Sequence, residues 1–203
     1  ELINKYNCKV IIVDPTPRAI DHYNQIIKNS GAPKKDSYKE GGKQIISSYD
    51  LTNINNKNLI LIKKGLYNSD NEELKFFAPP NKSHVSHSII DWQNDYKKKT
   101  EFINIKTITV RSILKEFDIQ SLEMLKLDIE GSEIEALDLM INEKILPNQI
   151  LVEFDELNKI NEIAIKRFSD IHQKLLLKEY ELIKTNSKFP DFLYIKKNHL
   201  RLK

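Results

Sequence analysis

Four apolar runs, "KVIIV", "LILI", "MLKL" and "QILVE", are too short for helices, and stretches of helical periodicity or polar loop lie between them. Such runs read as strands buried on both faces, the pattern of a parallel sheet. After the first, at 9–13, Thr16 can cap a helix with Pro17 at its first position. Ala19, Ile20, Tyr23, Ile26 and Ile27 fall on one face of that helix, and Gly31 is expected to end it. Strand, turn and helix in this order imply a sheet with helices packed on both faces. The expected fold class is α/β with a mostly parallel sheet.

The remaining elements follow the same logic. Residues 31–58 are polar and rich in Gly, Ser and Asn, and read as loop with one short strand in "KQIISSY". The Gly41-Gly42 pair there lacks the spaced Gly-Lys-Ser/Thr of a phosphate loop. A buried strand at 59–63 precedes shorter strands in "ELKFFAPP" and "FINIKTITV", and Ile113, Leu114 and Phe117 suggest a brief helix. The helix after "MLKL" is expected to bury Ile134, Leu137 and Ile141. A long one is expected to bury Ile160, Ile163, Ala164, Phe168, Ile171 and Leu175. "YELIKT" and "DFLYIKK", joined by "NSKFP", form a terminal hairpin, so the last strand runs antiparallel. No repeat or linker interrupts residues 1–203, which read as one domain.

Composition narrows the function. With 40% apolar and 30% charged residues, the chain is composed like a soluble globular protein. No apolar run approaches the ~18 residues of a membrane span, and no signal segment opens the chain. Its 32 basic and 29 acidic residues leave a formal charge of +3, too balanced for a nucleic-acid groove. "YKKK" at 96–99 reads as solvated loop. Cys8 is the only cysteine, which rules out an internal disulfide and points to a reducing, cytoplasmic setting.

Carboxylates gather at the strand ends. In an open parallel sheet, ligands bind beyond those ends, and Asp14 and Asp128 both stand there. Asp14, in "VDPTP", can accept two hydrogen bonds from ribose hydroxyls or can cap the helix that follows. In "LKLDIEGSE", Glu130 and Glu133 near a helix start favour its dipole, and Gly131 permits a tight turn. That local account leaves Asp128 unexplained. Several carboxylates at one site can attract a cation, hold a metal or remove a proton. His84 and His87, with Asp91, have a spacing compatible with a metal site, an acceptor pocket or plain surface loop. No metal is expected, and both histidines are assigned to the substrate side.

"MLKLDIEGSEIEAL", preceded by "IKTITVRSIL", resembles the signature region of FkbM-family methyltransferases. "KVIIVDPTPRAIDHY" is similar to their second strand and ribose-binding turn, and "LILIKKGLYNSDNEELKFF" to their third strand and the hairpin after it. The resemblance implies a Rossmann-like class I fold that uses S-adenosylmethionine, with strand order 3-2-1-4-5-7-6 and an antiparallel seventh strand. It also implies O-methylation of a small-molecule or glycan acceptor, at a hydroxyl of a sugar, glycolipid or natural product. By position, Asp14 would hold the ribose, and Gly65 and Leu66 would lie beside the adenine. Asp128, Glu130 and Gly131 would line the methyl-transfer end; Glu133 is itself assigned to the substrate side. The family's first strand and Gly-rich loop would precede Glu1. The strands at 9–13 and 124–127 are therefore expected to be one strand apart rather than paired.

Methyl transfer is an in-line displacement from a sulfonium, and the acceptor hydroxyl must lose its proton. Glu130 or Asp128 is the expected base, the other orienting the substrate. Two other classes remain open. A nicotinamide-dependent reductase would share Asp14's role, and Tyr180 and Lys184 match a short-chain reductase pair in spacing, though in a strand-like stretch. A non-catalytic interaction protein could keep the same fold.

Overall fold

The structure is a computed structural model and describes residues 1–38, 44–81, 86–96, 99–185 and 190–200. The chain divides into two compact units, Glu1–Gly65 and Leu66–Lys203.

In the first unit, α1 (Leu2–Tyr6) leads into β1 (Val10–Val13), and α2 (Pro17–Lys28) follows. Thr16 caps α2, its Oγ1 accepting from the Ala19 N–H at 3.3 Å, while Pro17 takes a position where no N–H is needed. The helix stops at Lys28 with Asn29 as cap, earlier than expected. Gly31, with φ 85°, then turns the chain so that its N–H reaches the Leu51 carbonyl at 2.8 Å. β2 (Leu59–Ile62) pairs with β1 in parallel, from Val10 opposite Leu59 to Val13 opposite Ile62. Ile3, Leu51, Ile54 and Leu59 form the core, and Tyr23, Ile26 and Ile27 of α2 pack on it.

The strand expected in "KQIISSY" is instead a single 3₁₀ turn, Ile46–Ser48. Ser48 Oγ donates to the Ile45 carbonyl at 2.7 Å, a local bond that competes with pairing in a ladder. Gly41, Gly42 and Lys43 lie outside the described residues.

Further along the chain, β3 (Gly65–Leu66), β4 (Glu73–Phe77) and β5 (Phe102–Ile108) form a sheet in the order β3-β5-β4. β4 and β5 are antiparallel. α3 (Val110–Glu116) begins at Thr109, whose side chain accepts from the Ser112 N–H. There follow β6 (Met124–Leu127), α4 (Glu133–Asn142), β7 (Gln149–Glu153), α5 (Glu162–Leu177), β8 (Tyr180–Thr185), β9 (Asp191–Lys196) and α6 (Lys197–Leu200). Their sheet has the order β6-β7-β9-β8. β6 and β7 are parallel, and β9 runs against both of its neighbours, as a terminal hairpin requires. Residues 186–189, most of the hairpin turn, lie outside the described residues. The sheets are thus mixed: of the pairs whose register is described, β1–β2 and β6–β7 are parallel and β4–β5, β7–β9 and β8–β9 antiparallel.

Leu127, Ile150 and Val152 of this sheet are buried, as are Leu137 and Ile141 of α4; Ile134 is only partly covered. Ala164, Ile171 and Leu175 supply the buried face of α5. Ile160 and Ile163, expected on that face, are 72% and 73% exposed. The cap explains this. Asn161 opens α5, so Ile160 precedes the helix, and Ile163 sits about 100° around it from Ala164. Among the described residues no helix is long and apolar enough to cross a membrane.

Candidate active site

β6 and β7 end side by side. Their register sets Leu127 against Val152, so Asp128, the first residue past β6, is level with Glu153, the last residue of β7. The loop after β6 and the turn after β7 therefore begin at one rim.

Asp128 is exposed, and its Oδ2 takes Lys126 Nζ at 2.7 Å. Glu130 then adopts the left-handed region, φ 59°, followed by Gly131 at φ 109°. This reversal brings the N–H groups of Ile129 and Gly131 together, a nest that suits an anion. Glu133 supplies the anion from within the chain. Its Oε1 accepts from Ile129 at 2.9 Å and from Gly131 at 3.2 Å, and its Oε2 accepts from Gly131 at 3.0 Å. Expected toward the substrate, Glu133 instead has no exposed surface and holds the loop from beneath.

Glu130 is fixed from the other side. The buried Ser88 donates from Oγ to the Glu130 carbonyl, and Gln93 Nε2 donates to Glu130 Oε2 at 3.1 Å. Ser88 is bridged to Phe77, and Gln93 also donates to the Ser86 carbonyl. Burial raises the Glu130 pKa above its ordinary value; a Ser86 hydrogen bond opposes this, the Asp128 charge adds to it, and Gln93 opposes it.

Asp155 belongs to the same rim, and sequence reasoning missed it. It opens the 3₁₀ turn Asp155–Lys159 after β7 and is 7% exposed. Its Oδ1 accepts from Asn158 Nδ2 at 2.7 Å, and its Oδ2 is buried with no hydrogen-bond partner. Burial pushes its pKa up to about 8, and the charges of Glu133, Glu130, Glu153 and Asp128 push the same way. Burial also lifts Glu133 to about 8, against the pull of the N–H groups it accepts from. Glu153 is raised by burial and by Asp128, Asp191 and Glu130, with Lys126 opposing. A signal was available: an acid just past a strand end, the feature that singled out Asp14 and Asp128, also occurs in "QILVEFDE". Ser88 and Gln93 carried none.

The other expected residues are distributed as follows. In the first unit, Asp14 stands at the tip of β1, half-buried, and its Oδ1 accepts from the Thr16 N–H at 2.8 Å. Thr16, not Asp14, is the cap of α2. Gly65 and Leu66 are buried in β3. His87 is partly buried with its ring 5.5 Å from that of Phe76, and His84 lies outside the described residues. Asp91 commits its oxygens to Asn94 and Thr100, both at 2.9 Å. Among the described residues no group of three or more His, Cys, Asp or Glu side chains is arranged to hold a metal ion.

A family model described as "Methyltransferase FkbM domain" matches residues 5–182. The chain belongs to the FkbM methyltransferase family. The FkbM match runs through the carboxylate rim and ends within β8. Neither a curated protein nor a solved structure matches the chain. In this FkbM domain, Tyr180 and Lys184 lie on β8 rather than on a helix. Tyr180 is fully buried and donates its hydroxyl to the Pro147 carbonyl at 2.5 Å, which leaves it no part in reductase chemistry.

Proposed function

We propose that this FkbM methyltransferase uses S-adenosylmethionine to methylate a hydroxyl oxygen of a small-molecule or glycan acceptor, such as a sugar, glycolipid or natural product. The observation that carries the reading is Glu130: a half-buried carboxylate at the tip of β6, oriented by Gln93 and raised in pKa by its surroundings. A general base is most effective when its pKa approaches the operating pH. The order β6-β7-β9-β8, with β9 alone reversed, supports a Rossmann-like class I fold, since it repeats that fold's 4-5-7-6 segment.

Carboxylates at the rim of the second unit suit a cationic sulfonium. That Asp14, with Oδ1 tied to its own turn, would offer Oδ2 to a ribose hydroxyl follows from the family resemblance. S-adenosylmethionine supplies an electrophilic methyl carbon when bound. Glu130 accepts a hydrogen bond from the acceptor hydroxyl, aims its oxygen and takes its proton. Asp128, at the exposed edge, orients the acceptor. Gly131 at the cofactor end and Gly65 and Leu66 beside the adenine follow from the family resemblance, and the assignment of His84 and His87 to the acceptor side rests on the sequence alone. A cytoplasmic setting accords with the lone Cys8.

Calorimetry on the chain should register S-adenosylmethionine and not nicotinamide nucleotides. Incubation with a panel of glycans and glycolipid intermediates should then add one methylene to a hydroxyl. Binding of nicotinamide nucleotide alone, methylation at nitrogen or carbon, or no cofactor binding at all would overturn the reading.

A further inference from the structure

Arg167 holds two acids with one nitrogen. Its Nη2 donates to Glu135 Oε1 at 2.6 Å and to Glu156 Oε1 at 3.2 Å. Glu135 lies in the first turn of α4, Glu156 in the 3₁₀ turn Asp155–Lys159 after β7, and Arg167 on α5. Oε2 of each acid is buried, with no hydrogen-bond partner among the described residues. The Glu156 side chain is only 11% exposed. Removing the cation from a pair so shielded costs more than the bond itself, because the charge left behind stays buried. Here two such charges would be left, facing each other.

Both supports of the Glu130 loop lead back to this clamp. Glu133, which accepts from the Ile129 and Gly131 N–H groups, opens α4. Glu135 stands two residues on, about 200° around the helix. One helical turn thus grips the loop on one side and Arg167 on the other. The turn after β7 also reaches the second support. Lys159 Nζ donates to Asp95 Oδ1 at 3.0 Å, and Asp95 is two residues from Gln93, which donates to Glu130. Lys159 and Asp95 are both exposed, and such pairs contribute little. Arg167 is the stronger tie.

We propose that Arg167 is a positioning residue: by clamping α4 to the turn after β7, it keeps Glu133 under the loop and Glu130 placed to take the acceptor proton. The effect on turnover rests on the proposed reaction; the hold on the loop does not.

Arg167→Met keeps the apolar stem and removes the donors. In amide hydrogen exchange on the ligand-free chain, Ile129 and Gly131 should exchange about tenfold faster or more, with the β7 amides unchanged. Arg167→Lys keeps a cation without the planar fork and should restore part of the protection. Lys174→Met is the control. It breaks the pair of Lys174 with Asp138, which also joins α5 to α4, and should leave both amides within about twofold of wild type. With an acceptor in hand, at a temperature where every variant is folded, Arg167→Met should lower kcat about ten- to hundredfold. Its affinity for S-adenosylmethionine should stay within about threefold of wild type, and Lys174→Met should keep the wild-type kcat. Wild-type exchange at Ile129 and Gly131 in Arg167→Met would overturn the proposal, as would equal loosening by Lys174→Met or a loosened loop with undiminished kcat. Should Arg167→Met not fold, Glu135→Ala, which opens one side of the clamp, decides: faster exchange at the two amides supports the proposal and unchanged exchange overturns it. If no acceptor is ever methylated, the exchange arm still judges the clamp.

Discussion

Glu133 grips Gly131 with both carboxylate oxygens, at 3.2 and 3.0 Å from a single N–H. Glu133→Ala would strip that N–H and the Ile129 N–H of their acceptor. Each unpaired buried donor costs about 1–3 kcal/mol, and the vacated volume adds to it. The expected loss is about 3 kcal/mol or more in urea unfolding. A variant with the wild-type midpoint would show that the loop holds its shape without Glu133.

Glu130→Gln should fold normally, because the amide oxygen can still accept from Gln93. It cannot take a proton from a hydroxyl. Turnover should fall by roughly 10²–10⁴ with cofactor affinity unchanged. Undiminished turnover at saturating acceptor would remove Glu130 from the role of base.

Asp128→Asn tests electrostatics without touching Glu130, the proposed base. Burial is the main cause of the raised Glu130 pKa, and the Asp128 charge contributes to it. Removing that charge favours ionisation of Glu130, so the rising limb of the pH–rate profile should move to lower pH. A limb that stays in place would mean that Asp128 is screened, as its pairing with Lys126 at the surface allows.

Asp14→Asn separates the turn bond of Asp14 from its proposed ribose contact. Asp14→Asn retains an acceptor for the Thr16 N–H and should fold like wild type. It loses the charged acceptor for ribose hydroxyls, bonds worth about 1.5–3 kcal/mol each. Affinity for S-adenosylmethionine should fall about tenfold or more on that basis. Equal affinity in calorimetry would reduce Asp14 to a residue of its own turn.

Several strands were legible because apolar runs too short for a helix favour extended chain. "LILI" and "MLKL" lie within one residue of where the structure has them. The terminal hairpin was equally plain. Phase on α5 was not: Ile160 and Ile163 fit helical spacing, but spacing cannot tell where Asn161 starts the helix. "KQIISSY" looked like a strand because a serine's preference for its own backbone is invisible in an apolar count. At the rim, carboxylates next to strand ends were readable, and their division of labour was not. Whether an acid faces outward like Asp128 or inward like Glu133 depends on two positive φ angles at Glu130 and Gly131. Ser88 and Gln93 reach Glu130 across 42 and 37 residues of sequence, a distance over which local pattern carries no information.

Glutamate at 130, with φ 59°, occupies backbone space that glycine or asparagine enters more easily, at a cost of about 1 kcal/mol. Its neighbour Asp155 adds a buried acid where an uncharged side chain would be more comfortable. The rim thus combines two features that work against folding. A library of variants sorted for heat resistance alone should drift toward glycine or asparagine at 130 and away from acids at the ends of β6 and β7, and it should lose chemistry as it gains endurance. Positions at which thermal fitness and catalytic fitness pull apart would trace the working surface of this domain before any acceptor is known.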